Sequence, residues 1–135
     1  MIRRDILYPF AIDPVSRQAA QTSYPNHVDQ MIRQVLLTDP GERVCLPTFG
    51  AGLRRLLFAP MNASLSATTQ IVVTQNLNQW LGNQITVQKV TVSTADGQAT
   101  GVSAGPALPD TAILIQIQYV LIETQTVNQL QVQVI

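Results

Sequence analysis

The chain has 135 residues, enough for one domain with a sizeable core. Its formal net charge is zero and only 12% of its residues are charged, against about 25% in an average globular protein; this excludes a basic field for nucleic acid and an acidic tail. A single cysteine excludes an internal disulfide and fits a reducing compartment, and no apolar run reaches the ~18 residues of a membrane-spanning helix.

The N-terminal "MIRRDILYPFAID" carries two arginines, but Asp5 interrupts the apolar run, so it makes a poor secretory signal. "DILYPFAIDP" reads as a short extended arm broken by Pro9 and ended by Pro14, and "VSRQAAQTSYPN" as polar and irregular. Residues 1–25 are thus expected to form an arm and 26–135 one domain. Val28, Met31, Ile32, Val35 and Leu36 recur at i, i+3, i+4, i+7, i+8, which predicts an amphipathic helix. Asn26 is the expected N-cap, with Asp29 near the positive end of the dipole, and Pro40-Gly41 stops the helix. "ERVCLPTF" is expected to be extended, with Cys45 packed as a small hydrophobe. "GAGLRRLLF" places Leu53, Leu56 and Leu57 at helical spacing, which predicts a short second helix. A third helix is expected from Asn62 or Ser64, with Val73, Leu77, Trp80 and Leu81 as its apolar stripe and Gly82 as its C′ residue.

The rest reads as sheet. "ITVQKVTVS" is a strand whose apolar parity changes between Val87 and Val90, which predicts a bulge or two half-buried faces. "TADGQATGVSAGPALPDT" is a long Gly/Pro-rich connection, expected to be mobile. "AILIQIQYVLIE" is apolar on both faces and expected to be central. "VNQLQVQVI" alternates, with Leu130, Val132 and Val134 toward a core and Gln129, Gln131 and Gln133 on the other side. The fold class is α+β, with N-terminal helices packed on a small C-terminal antiparallel sheet of about three strands.

Charge is uneven along this order. Residues 1–60 hold seven basic and five acidic groups, residues 61–135 only Lys89, Asp96, Asp110 and Glu123. The depletion falls on strand-like segments, which points to a surface covered by partners. The last strand has no lysine and no proline. If it lies at a sheet edge, a strand of another chain can add to it.

Catalytic readings are weaker. Glycoside hydrolysis needs two carboxylates, one with a raised pKa; Glu42 is the best acid, but Arg43 beside it favours the ionised form and no second acid is an obvious partner. Cys45 with His27 as nucleophile and base competes with simple packing. "GAGLRR" is similar to an anion-binding glycine turn but lacks the Lys-Ser/Thr of a phosphate loop. One Cys and one His cannot by themselves form a structural zinc site. No cofactor or metal is expected.

The stretch "LLTDPGERVCLPTFGAGLRRLLFAP" (36–60) resembles the signature of the phage-tail baseplate wedge family, often labelled "baseplate lysozyme-like". Gly41, Glu42, Arg43, Pro47, Phe49, Gly50 and Leu53 match it by position. Cys45, Leu46 and Thr48 depart from it, and Gly82-Asn83-Gln84 stands where the family often has Glu-Pro-Arg. The resemblance implies a non-enzymatic baseplate component of a contractile phage tail, type VI secretion system or extracellular injection particle. It implies that such a protein links the wedge scaffold to the first sheath ring by strand augmentation. Its implied partners are baseplate wedge proteins, the sheath and hub or inner-tube proteins, with six copies in a ring and cytoplasmic assembly; charge and the lack of a long apolar run argue separately for no nucleic acid and no membrane span. It casts Glu42 and Arg43 as an ion pair or interface contacts, and Phe49, Leu53 and Phe58 as core. Taken with the strand pattern, the expected partner-binding residues are Glu42, Arg43, Arg54, Arg55, Gln129, Leu130, Gln131, Val132, Gln133 and Val134. The alternative is a peptidoglycan-degrading, lysozyme-like enzyme.

Overall fold

The computed structural model describes residues 4–59, 63–94 and 113–134. Apart from Thr94, the long connection expected over 94–111 lies outside them. Along the chain run strands β1 (Asp5–Ile6) and β2 (Gln21–Thr22), helix α1 (Tyr24–Leu37), a 3-10 helix (Leu53–Phe58), helix α2 (Ala63–Leu81), and strands β3 (Ile85–Thr94), β4 (Ile113–Leu121) and β5 (Val127–Val134). This is the expected α+β order, helices first and a three-stranded antiparallel sheet last.

The N-terminal segment is not a single extended arm. β1 and β2 pair antiparallel, Ile12 bridges Ala19, and the chain folds back as an irregular hairpin. Its tip is held by the Asp13 carboxylate, which accepts from the Val15 and Ser16 amides and from Ser16 Oγ at 2.7 Å. Those bonds, the Ser16 hydroxyl first, lower the Asp13 pKa. The Tyr8 amide donates to Gln30 Oε1 of α1 at 2.8 Å, which ties the hairpin to the first helix.

α1 buries Val28, Ile32, Val35 and Leu36, as the spacing predicts. Each such side chain is worth about 1.5–3 kcal/mol when withdrawn from water. The helix begins before the expected cap: Ser23, not Asn26, occupies the N-cap with extended backbone. Pro25 explains the shift. Its fixed φ suits a first helical turn, and its missing N–H would have been unpaired there in any case. At the other end, the Thr38 amide and Oγ1 both donate to the Gln34 carbonyl.

The segment 39–50 is a series of turns, not an extended run. The Glu42 amide donates to the Asp39 carbonyl, the Gly41 amide to that of Pro47, and the Phe49 amide to that of Leu46. The chain then returns onto the end of α1. Gly50 has φ +111, and a Cβ there would sit 2.1 Å from the Thr38 carbonyl oxygen. The next two amides, of Ala51 and Gly52, donate to the carbonyls of Val35 and Thr38, so the loop satisfies helix-end acceptors that would otherwise need water.

The predicted short second helix is of the 3-10 type. Leu53 is buried, and Leu56 and Leu57 pack partly against the core. Phe58, expected in the core, is 91% exposed. In a 3-10 helix side chains three apart eclipse, so Phe58 shares the row of exposed Arg55 rather than that of Leu53. Cys45 is likewise exposed, not packed.

α2 buries Val73, Leu77 and Leu81, with Trp80 packed partly against the core. Buried Thr69 is also on this face; its hydroxyl is satisfied by the Leu65 carbonyl at 2.8 Å. Gly82 follows the helix as expected, but without a left-handed φ. Its constraint is proximity: a Cβ would meet the Asn78 carbonyl oxygen at 2.3 Å.

The sheet order is β3-β4-β5, all antiparallel, so β4 is central as its composition predicts. The predicted bulge is present, since the β3–β4 register shifts between Val87 and Lys89. The inner face carries Ile113, Ile115, Ile117, Tyr119 and Leu121 from β4, and Leu130, Val132 and Val134 from β5, all buried. Against it, α2 lies on β3, while α1 and the 3-10 helix reach β5. Tyr119, fully buried, donates a hydrogen bond to Asp29 of α1. Burial first, and Asp29 second, raise the phenol pKa above its ordinary 10.0.

Gly50→Ala should destabilise the chain by at least ~2 kcal/mol in denaturant unfolding, because it combines left-handed strain with a backbone clash. Tyr119→Phe should cost about 1–2 kcal/mol at neutral pH through the lost bond to Asp29. The folded phenol titrates above the unfolded one, so its stabilisation is complete below pH 10.0 and is lost as pH rises further. Wild type should therefore lose stability more steeply than Tyr119→Phe above that pH; parallel alkaline unfolding curves would contradict this.

Candidate docking surfaces

The ten residues expected to bind partners fall into two groups with different exposure. In the first, from the signature loop, Glu42 is exposed and its Oε2 accepts from the Asp39 amide at 3.0 Å. Arg43 is half-buried, with its guanidinium carbon 4.1 Å from the Phe49 ring centroid. Phe49 meets Trp80 edge to face, with centroids 5.1 Å apart and ring planes at 62°. Arg43, Phe49 and Trp80 thus stack in series and fasten the loop to the end of α2. Such cation–aromatic and aromatic pairs are each worth about 0.5–1.5 kcal/mol. Glu42 and Arg43 therefore each have a partner within the chain other than one another. Arg54 and Arg55 are exposed on the 3-10 helix, and Arg55 Nη2 reaches the Pro40 carbonyl at 3.4 Å.

In the second group, on β5, the side chains divide by parity. Leu130, Val132 and Val134 are buried beneath the sheet, whereas Gln129, Gln131 and Gln133 are exposed on its outer face. The backbone divides the same way. The Leu121 amide donates to the Thr126 carbonyl, which makes this a hydrogen-bonded pair of the β4–β5 hairpin. Hydrogen-bonded and non-bonded pairs alternate in an antiparallel ladder. With the observed register, Tyr119/Asn128, Ile117/Leu130, Ile115/Val132 and Ile113/Val134 are then bonded pairs. Val127, Gln129, Gln131 and Gln133 accordingly aim their N–H and C=O groups away from β4, into the open edge. The opposite side of the sheet agrees: the Ile122 amide donates to the Gln84 carbonyl, so even-numbered residues there bond toward β3.

The two edges are not equivalent. β3 is blunted by its bulge and by exposed Lys89. β5 carries no charge, no proline and no register shift. Gly82-Asn83-Gln84 forms the turn into β3; the Gln84 amide donates to the Leu81 carbonyl and its own carbonyl accepts from the Ile122 amide.

Chemistry-bearing groups are sparse. Asp29 accepts from Tyr119, Asp13 holds a turn, and Glu42 binds a neighbouring amide. Among the described residues there is no cluster of three or more His, Cys, Asp or Glu side chains that could hold a metal ion, and no helix long and apolar enough to cross a membrane. The Tyr119–Asp29 bond escaped the sequence pattern. Its only signal was a phenol within an otherwise aliphatic inner face.

The chain is similar in structure to a Geobacter sulfurreducens protein named as a candidate tail lysozyme. That match has TM-score 0.65 and 27% identity, over 84% of this chain and 92% of the other. It is also similar to a chain of the anti-feeding prophage baseplate, solved by cryo-EM with six-fold symmetry. There the TM-score is 0.62 and the identity 14%, over 98% of this chain and 85% of that one, a likeness of fold alone. No curated protein matches. The family model described as baseplate wedge protein gp25 matches residues 22–126, from β2 through α1, the signature loop, α2, β3 and β4 to the turn before β5. The chain belongs to the baseplate wedge protein gp25 family.

Proposed function

We propose that this baseplate protein is a non-enzymatic joint on which the first ring of a contractile sheath is laid, by addition of a sheath strand to β5. One observation carries this: β5 is an unblunted sheet edge whose outward backbone groups belong to Val127, Gln129, Gln131 and Gln133. An added strand gains a main-chain bond at each outward N–H and C=O, worth about 1 kcal/mol net apiece. Repetition around a ring multiplies that modest strength into a firm attachment. In the same reading the helical half, with Glu42, Arg54 and Arg55 exposed on it, faces the wedge scaffold and the hub or tube. Residues 1–25 serve as an arm to the domain at 26–135. Six copies form the ring, and assembly takes place in the cytoplasm of the producing cell.

A lysozyme-like activity is the second reading, favoured by the name given to the Geobacter sulfurreducens protein. It would need one protonated and one ionised carboxyl group across a sugar bond. The carboxylates of Asp13 and Asp29 are engaged in hydrogen bonds, and Glu42 stands exposed against a backbone amide. This disposition favours a structural role.

Gln131→Pro tests the strand reading without cutting into the core. Its N–H points outward, so the β4–β5 ladder survives the change. Baseplates carrying it should assemble yet fail to start sheaths in electron micrographs; normal sheaths would sink the proposal. Purified wild-type protein should leave cell-wall turbidity unchanged. Lysis that disappears in Glu42→Gln would establish the enzymatic reading instead.

A further inference from the structure

An unguarded edge needs cover before its partner arrives, and the sequence of β5 is suited to covering itself. Gln129-Leu130-Gln131-Val132-Gln133 is symmetric in residue class about Gln131. The residues that aim backbone groups outward are odd-numbered, and an antiparallel pairing centred on Gln131 joins odd to odd throughout.

We infer that β5 pairs antiparallel with β5 of a second copy of this chain, Gln131 facing Gln131, as the resting form of the free protein. Gln129 then lies opposite Gln133 of the second copy, and Gln133 opposite its Gln129. Three bonded pairs supply about six main-chain hydrogen bonds. The two-fold axis stands perpendicular to the sheet. Both copies therefore keep their glutamines on the outer face and their apolar residues on the helix side, in one continuous six-stranded sheet. Such an interface is isologous and closes on itself.

Side-chain chemistry favours the same partner. A two-fold places residue 131 opposite itself, so any charge there would meet its like. A glutamine amide is neutral and both donates and accepts, so it can bond to its own copy. Amide rows already cross the sheet within one chain, since Gln116 lies opposite Gln131 and Gln118 opposite Gln129. The second copy extends these rows by one strand. β3 cannot do this in the same way, because its bulge breaks the register and Lys89 would bring charge to the contact.

The inference rests on β5 being the docking edge in the particle. The second copy and the sheath strand compete for the same backbone groups, so the homodimer keeps the edge closed until assembly displaces it.

Sedimentation across a concentration series tests this on the full chain. Wild type should show a concentration-dependent monomer–dimer equilibrium. Gln131→Lys and Gln131→Glu, both at an exposed site and checked for folding by circular dichroism, should each weaken the dimer by about tenfold or more. Mixing the two variants at low salt should restore a heterodimer that added salt weakens. A wild type that stays monomeric throughout, or two variants that dimerise as wild type does, would overturn self-pairing. A monomeric wild type combined with sheath failure in Gln131→Pro removes the dimer and leaves the sheath role standing. A dimer combined with normal sheaths does the reverse.

Discussion

The approach of Gly50 to the Thr38 carbonyl sets the geometry on which the helical half depends. Only a residue without Cβ fits against that oxygen at φ +111. Because it fits, the Ala51 and Gly52 amides land on the carbonyls of Val35 and Thr38, and α1 ends in paired groups rather than in water. The same return places Phe49 between Arg43 and Trp80, so the loop is fixed to both helices at once. Leu53 then enters the core directly behind it. A stretch that holds Cys, Glu, Arg and Gly in close sequence is thereby explained as a joint. Its polar groups are used to close turns, and its glycine to permit contact.

On the other side of the molecule the sheet obeys a division of labour by parity. Along β5, even-numbered residues from Leu130 onward give their side chains to the core and their backbone groups to β4. Odd-numbered residues give their side chains to solvent and their backbone groups to the edge. Folding and docking therefore draw on different atoms of the same strand. β3 has the same two options, but the bulge after Val87 and the charge of Lys89 close its outer side. The low charge of the second half of the chain then has a location. It covers α2, β4 and β5, none of which carries a charged residue, and on β5 it falls on the edge left open.

Much of this was legible in the sequence because strands report their two faces directly. The alternation of Leu130, Val132 and Val134, the double apolar character of β4, and the parity change near Val87 each map to an observed feature. Misreadings arose where a single residue outweighed the local pattern. Pro25, in the first helical turn, moved the N-cap of α1 from Asn26 to Ser23. A 3-10 period turned Phe58 outward although its neighbours sit at helical spacing. The Asp13 side chain closes a turn that no apolar periodicity marks, and so folds the N-terminal arm into a hairpin rather than an extended run. The open edge lay between these cases. Its composition was visible, but its place beside β4 and the direction of its backbone groups come from the register of long-range pairing.

This separation of atoms governs how the candidate site must be probed. Removing the last strand would expose the inner faces of β4 and α1 and withdraw three buried aliphatic side chains, each worth about 1.5–3 kcal/mol. A deletion would therefore report on folding whether or not β5 binds anything. Substitutions at Leu130, Val132 or Val134 suffer from the same confusion, since those side chains are buried. Gln129, Gln131 and Gln133 differ, because their side chains are exposed and their amides are absent from the β4 ladder. Changes there act on the edge alone, and the effect should follow backbone chemistry more than side-chain size. Proline at such a position removes a donor, whereas alanine leaves the outward N–H and C=O in place. A docking site built on backbone groups thus predicts tolerance to alanine and intolerance to proline at the same residue, a contrast that a side-chain interface would not produce.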